Sequence, residues 1–167
     1  FFTSHEALHL AYEGALLRRS VRDGLWYNMS THMPWIGERT RGVDEGHVEM
    51  LRGLQNPVGV KIGPSATPDQ LVDLVRTLNP DNQPGRVSLI HRMGRDKVAQ
   101  VLPNLVEGIS RADLQVLWLC DPMHGNTVSA GTGHKTRRFD DVLAELQSAF
   151  AVHRSLGSRL GGVHLEL

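Results

Sequence analysis

A single cysteine, Cys120, stands in 167 residues, so no disulfide can form within the chain. That fits a reducing compartment. No apolar run approaches the roughly 20 residues of a bilayer span, which argues against a membrane protein. Lys+Arg and Asp+Glu number 18 each, so the formal net charge is zero. Without a basic excess there is no electrostatic footprint for a nucleic acid. No Gly-x-Gly-x-x-Gly follows any strand candidate, so dinucleotide binding lacks its main support. The chain is 40% hydrophobic and 22% charged. That is ordinary globular composition and excludes a collagen-like or low-complexity polymer. What stands out is nine histidines, which direct attention to metal or acid–base chemistry.

The ends read as interior segments. There is no initiator Met, Phe1-Phe2-Thr3 looks like the inside of a strand, and the run Gly161 to Leu167 stops without cap or tail. Natural termini are usually polar and frayed. The expectation is a single domain, 1–167, truncated at both ends and internal to a longer protein.

Strand and helix patterns alternate along the chain. Phe1 to Ser4 reads as a short strand, and His5 to Arg19 as an amphipathic helix carrying Leu8, Ala11, Tyr12, Ala15 and Leu16. Trp26 to Thr40 is punctuated by Gly, Pro and Asn and reads as irregular. Val58 to Gly63 is a β-branched run. Thr67 and Pro68 open a helix as N-cap and first helical residue. Arg86 to His91 is a second apolar run. A helix from Arg95 to Ile109 follows, bent or broken at Pro103. Gln115 to Cys120 is a third buried strand. Asp140 to Leu156 is a helix with Val142, Leu143, Leu146, Phe150 and Val152 as its apolar part, ended by Gly157, and a last strand lies at Val163. Strand starts near Val58, Val87, Val116 and Val163 are 29, 29 and 47 residues apart. Short apolar strands with helical crossovers between them specify a parallel sheet covered by helices. A (β/α)8 barrel takes about 250 residues. The expectation is therefore an α/β fold, a partial TIM barrel of about five strands with their helices.

In such a barrel the chemistry sits where strands end. Lys61, Arg92, His124 and Glu166 all fall at or just after strand ends. Alone, each cation is as well explained by solvation or ion pairing, and the His by a loop hydrogen bond. Four coinciding ionisable groups favour a site. Arg39 and Arg41 in one loop, and Lys135 and Arg137 in another, add positive charge. Guanidinium groups bind carboxylate and phosphate bidentately, and lysine acts as a point charge. A small, multiply anionic substrate is the expectation. His124 and Glu166 are half of a divalent-metal site, since three or four ligands are normal. The remaining histidines have no convincing ligand spacing. His5 and His9 are i,i+4 on the first helix, but without a His-Glu-x-x-His pattern they read as structural.

Four segments in order, Trp35-Ile36-Gly37-Glu38-Arg39-Thr40-Arg41, Asn79 to Arg86, Asp121-Pro122-Met123-His124-Gly125-Asn126-Thr127 and Gly161 to Glu166, resemble the class II 3-deoxy-D-arabino-heptulosonate 7-phosphate (DAHP) synthases. Thr3-Ser4-His5-Glu6-Ala7-Leu8, Val60-Lys61 and Arg92-Met93-Gly94 fit too. The likeness covers essentially the whole chain and corresponds to the third through seventh strands of the barrel. It implies a transferase that condenses phosphoenolpyruvate with erythrose 4-phosphate, releasing phosphate, as the first step of the shikimate pathway to chorismate and aromatic amino acids. It implies a divalent metal, manganese or cobalt, held by a Cys, a His, a Glu and an Asp. His124 and Glu166 match the His and Glu. The Cys and Asp have no counterpart here, and Cys120 ends a different strand. Lys61 and Arg92 match the phosphoenolpyruvate cations. Glu38 and Arg39 match the active-site loop, with the arginine reaching toward the aldose phosphate. Trp35 lines that pocket, and Lys135 matches a site lysine. Pro34 and Arg159-Leu160 depart from the usual pattern at positions without a functional counterpart.

The same likeness implies a homo-oligomeric full-length parent. The expected location is the bacterial cytoplasm, with a plastid left open because the start of the chain offers no leader to read. No membrane and no nucleic acid is expected as a partner. Two other readings stand beside it. One is another metal-dependent lyase or aldolase acting on sugar phosphates. The other is a non-catalytic barrel piece. Taken alone, this stretch is expected to be inactive.

Overall fold

The computed structural model describes residues 2–131 and 133–166. Phe1 of the first strand, Thr132 of the loop before Lys135 and Leu167 of the last segment lie outside the described residues. In chain order the elements are β1 (Ser4–Glu6), α1 (Leu10–Ala15), β2 (Leu17–Arg19), β3 (Trp26–Asn28), β4 (Met33–Ile36), α2 (Gly46–Arg52), β5 (Val58–Ile62), α3 (Pro68–Leu78), β6 (Val87–His91), α4 (Val98–Arg111), β7 (Leu117–Cys120), β8 (Thr127–Ser129), β9 (Lys135–Arg137), α5 (Phe139–Ser155) and β10 (Leu160–Val163). Six strands form a parallel sheet in the order β1-β4-β5-β6-β7-β10, and β2-β3 and β8-β9 are separate hairpins. The chain is thus α/β, with five helices among the described residues.

The residues fall into two compact units. The first comprises 1–61, 73–88 and 114–116. Here β1 pairs with β4 (Ser4 opposite Met33, Glu6 opposite Trp35), and β4 pairs with β5 (Trp35 opposite Gly59). All five residues of β5 are buried, as in a strand covered on both faces, and all but Lys61 are apolar or glycine. Asn56 ties the turn before β4 together. Its amide donates to the carbonyls of Asn28, Thr31 and His32 and its Oδ1 accepts from Asn28 N–H. Arg86, at the end of the Asn79–Arg86 motif, donates to the carbonyls of Leu51, Asn56 and Leu78. That motif is a structural clamp on three chain ends.

The expected long helix from His5 to Arg19 does not form. His5 and Glu6 lie in β1, and Leu17–Arg19 zips against Trp26–Asn28. Ladder bonds to partners distant in sequence outcompete a local helical period. His5 and His9 therefore do not share a helix. The buried residue of α1 is Glu13, 1% exposed, while Leu8 and Tyr12 are half exposed. Glu13 accepts from Asn28 Nδ2 (2.6 Å) and Ser30 Oγ (2.7 Å) and contacts His5 Nε2 (2.8 Å). Burial pushes its carboxyl up, but these bonds outweigh it and hold the group below the usual range. Nor is the stretch from Trp26 to Thr40 irregular: it supplies β3 and β4, and β4 raises the sheet from about five strands to six.

The second unit comprises 62–72, 89–113 and 117–167. Thr67 and Gln70 form a reciprocal capping box at the start of α3, each side chain accepting the other's backbone N–H at 3.3 Å. Pro103 does not break α4, which runs through it from Val98. The carbonyl that loses its helical partner belongs to Ala99, an exposed residue, which lets solvent reach it. In α5 the buried stripe is Glu145, Ala149, Val152 and His153, whereas Leu143 and Phe150 are exposed. The apolar residues expected to face the core are thus partly turned outward. Gly157, at φ +66°, ends this helix as expected.

Candidate metal centre and anion-binding residues

In the first unit Trp35 closes β4 and is 7% exposed, and Lys61 on β5 is 3% exposed. The Lys61 ammonium lies 4.6 Å from the Trp35 ring centroid. This cation–π contact holds the buried ammonium at the strand end. Glu38 and Arg39 follow β4 in a short 3-10 turn. Glu38 pairs with Arg41 at 3.3 Å, and Arg39 is exposed. Arg41 Nε is buried with no hydrogen-bond partner among the described residues.

In the second unit Arg92 leaves β6 with its backbone N–H bonded to Ile62 O at 2.8 Å. Its guanidinium donates to His124 O at 3.2 Å. Asp121, fully buried, leaves β7. Its Oδ1 accepts from the N–H groups of Met123 and His124, and its Oδ2 lies 2.7 Å from His124 Nδ1. With Nδ1 held, His124 presents Nε2, 3.6 Å from Glu166 Oε2. The other Glu166 oxygen is 3.3 Å from His164 Nε2. Glu166 lies three residues past β10. Ligand atoms of Asp121, His124 and Glu166 lie within 4.8 Å of one another. A carboxylate behind the imidazole and another in front is the arrangement a divalent cation uses, since the rear carboxylate selects the tautomer. These residues therefore fit a metal. A cleft of about 300 Å³ opens beside them, lined by Pro64, Arg92, Arg95, Lys97, His124 and Asn126. Lys135 begins β9 and is exposed. Its segment is a hairpin strand, where a polar loop was expected.

Cys120 belongs to a different group. It is buried with His91 and Glu145, again with ligand atoms within 4.8 Å. Burial pushes the Cys120 thiol far up, with Glu145 and Asp121 adding to it. A thiol held protonated is a poor ligand. Asp121 stands in a motif quoted from the sequence, yet carried no role there. An Asp three residues before a His in a turn is the signal that could have found it.

The profile of the Class-II DAHP synthetase family matches residues 1–167. The chain belongs to that family. A protein of Streptomyces coelicolor named phospho-2-dehydro-3-deoxyheptonate aldolase is 52% identical over 167 residues, covering 100% of this chain and 37% of the relative. Phospho-2-dehydro-3-deoxyheptonate aldolase AroG of Mycolicibacterium smegmatis is 48% identical over 171 residues, covering 99% of this chain and 37% of the relative. The DAHP synthetase-family chain thus spans little more than a third of the curated relatives it matches. Among solved structures, 2,3-dimethylmalate lyase, a PEP mutase/isocitrate lyase superfamily member, aligns over 98% of this chain and 56% of its own at 12% identity, with a TM-score of 0.48. No helix among the described residues is long and apolar enough to cross a membrane.

Proposed function

We propose that the protein carrying this chain is a DAHP synthase, condensing phosphoenolpyruvate with erythrose 4-phosphate to DAHP and phosphate, and that its six strands are part of a (β/α)8 barrel. Family membership over every residue supports this, and the relatives' names agree with it. The observation that carries it is local: Asp121 orients His124 so that Nε2 faces Glu166, while Arg92 touches the same turn.

Phosphoenolpyruvate bears a carboxylate and a phosphate. Arg92 offers a planar fork to one of them, and its bond to His124 O fixes the fork's direction. Lys61, assigned to the same substrate by the family resemblance, is a buried point charge steadied by Trp35. Arg39 is exposed and suits the phosphate of the aldose, with Trp35 lining that pocket and Glu38 holding Arg41. Lys135, exposed on its hairpin, adds a second cation toward a substrate phosphate. His124 and Glu166 would hold a divalent metal, manganese or cobalt, whose chemistry when bound is Lewis-acid polarisation of the aldehyde oxygen. The cations lower the repulsion between two anionic substrates and so allow the enol carbon to reach the carbonyl. Water then adds at the former enol carbon, and phosphate leaves.

Two substitutions test this in the complete protein. His124→Ala removes a metal ligand and should abolish metal-dependent synthase activity with the fold retained. Near wild-type turnover at saturating manganese refutes the metal assignment. Arg92→Lys keeps the charge but loses the fork. Phosphoenolpyruvate binding should weaken with manganese affinity little changed, and unchanged substrate affinity places Arg92 outside the site.

A further inference from the structure

The loops that carry Arg92 and His124 share one buried support. Glu145, on the second turn of α5, is 0% exposed. Its Oε1 accepts the backbone N–H of Met93 at 2.8 Å, the residue after Arg92. Its Oε2 accepts from Asn126 Nδ2 at 2.7 Å, two residues after His124. Asn126 is committed on every side. Its amide also donates to Pro122 O at 2.8 Å, and its Oδ1 accepts the backbone N–H of Arg95 at 3.0 Å. The two loops touch directly as well. A Cβ on Gly125 would meet Gly94 N at 2.3 Å and Gly94 Cα at 2.7 Å, and Gly94 has φ +83°. Only glycines allow that approach.

We propose that Glu145 is a positioning residue that sets the Arg92 loop against the His124 loop, so that anion binding and metal binding share one carboxylate. This rests on the functional reading above and goes beyond it, since no assigned site residue lies on an α-helix. A carboxylate accepts from the two loops on separate oxygens, because both of its oxygens are acceptors. Burial raises the Glu145 carboxyl, while the bonds from Gly94, Met93 and Asn126 lower it. An alanine, a leucine or a glutamine at this site would each lose at least one loop.

The test compares wild type, Glu145→Gln and the double variant Glu145→Gln/Asn126→Asp in the complete protein, by calorimetric titration with phosphoenolpyruvate and with manganese. Glutamine keeps the volume and the bond to Met93, but turns an NH2 toward Asn126 Nδ2. Asn126 cannot flip to relieve this, because its NH2 would then face Arg95 N–H and leave Pro122 O. The single variant should lose about 10-fold in affinity for both ligands. The double variant restores a donor facing an acceptor between residues 145 and 126 but takes the donor away from Pro122 O, so it should recover part of both losses. A structural role alone predicts lower thermal stability, with no matched loss and no matched recovery of the two affinities.

Three results would overturn the proposal. They are wild-type affinities in Glu145→Gln, loss of one ligand only, or losses that the double variant does not repair in any part. If Glu145→Gln does not fold, Asn126→Ala cuts the same link from the other loop. It must then weaken both ligands, or the proposal fails. Wild type that binds neither ligand refutes the functional reading instead, which separates the two failures.

Discussion

Replacing His91 by leucine should make the protein more resistant to acid. His91 is fully buried, and neither ring nitrogen has a hydrogen-bond partner among the described residues. Its ring lies 5.8 Å from that of His153 and 6.4 Å from Trp118. Cys120 and Glu145 face it within 4.8 Å. Burial, and then the neighbouring His153, lowers His91 from 6.5 to about 3, against a smaller upward pull from Asp121. Burial lowers His153 to about 4. In the unfolded chain both titrate near 6.5. Below that pH the unfolded state takes up protons that the folded state refuses, so stability falls as pH drops from about 6.5 toward 4 and 3. At pH 5 the gap is about 1.5 units for each ring, so each costs about 2 kcal/mol and the pair about 4 kcal/mol. Glu145, with its carboxyl raised, has the opposite slope, so the difference between variant and wild type is the clean measure. Leucine has a similar volume and abandons no hydrogen bond, so stability at pH 8 should hold or rise. At pH 5 the variant should gain a further amount of about 2 kcal/mol over wild type. Guanidinium unfolding at the two pH values, with unchanged slope, measures this. A difference between the two proteins that does not vary with pH refutes the account.

Asp121→Asn should reduce manganese affinity by about 10- to 100-fold with the fold intact. The new amide must keep its oxygen toward the N–H groups of Met123 and His124, so its NH2 faces His124 Nδ1 and puts the ring proton on the metal-facing Nε2. Undiminished affinity in a direct titration would show that His124 needs no anchor. Gly125→Ala drives a methyl into the Gly94 backbone and should cost about 1–3 kcal/mol as overpacking. A variant with wild-type melting temperature would mean that the two loops are not in contact.

The strand exits were legible from residue pattern because a strand buried on both faces has no alternative reading. Val58–Ile62 and Val87–His91 are buried throughout and apolar except for Lys61, Ser88 and His91, and glycine follows each within three residues. Helix ends were legible for the same local reason: Thr67 and Gln70 cap α3 with atoms three residues apart, and Gly157 alone tolerates the left-handed turn after α5. Lys61, Arg92 and His124 could be singled out because ionisable groups at such exits are few. Strands whose partners lie far along the chain were not legible. His5–Glu6 pairs with Pro34–Trp35 across 29 residues, and no local period records that bond. Nor were the buried polar residues. Glu13, Glu145 and His153 look like solvent-facing positions in the sequence, yet each is at most 1% exposed. What makes Glu13 and Glu145 tolerable inside is a set of partners drawn from other segments, Asn28 and Ser30 for one, Met93 and Asn126 for the other. A buried carboxylate is stable only where such donors converge. That convergence is a property of the packed chain, so only the tertiary structure decides which acidic residue of a helix is inside.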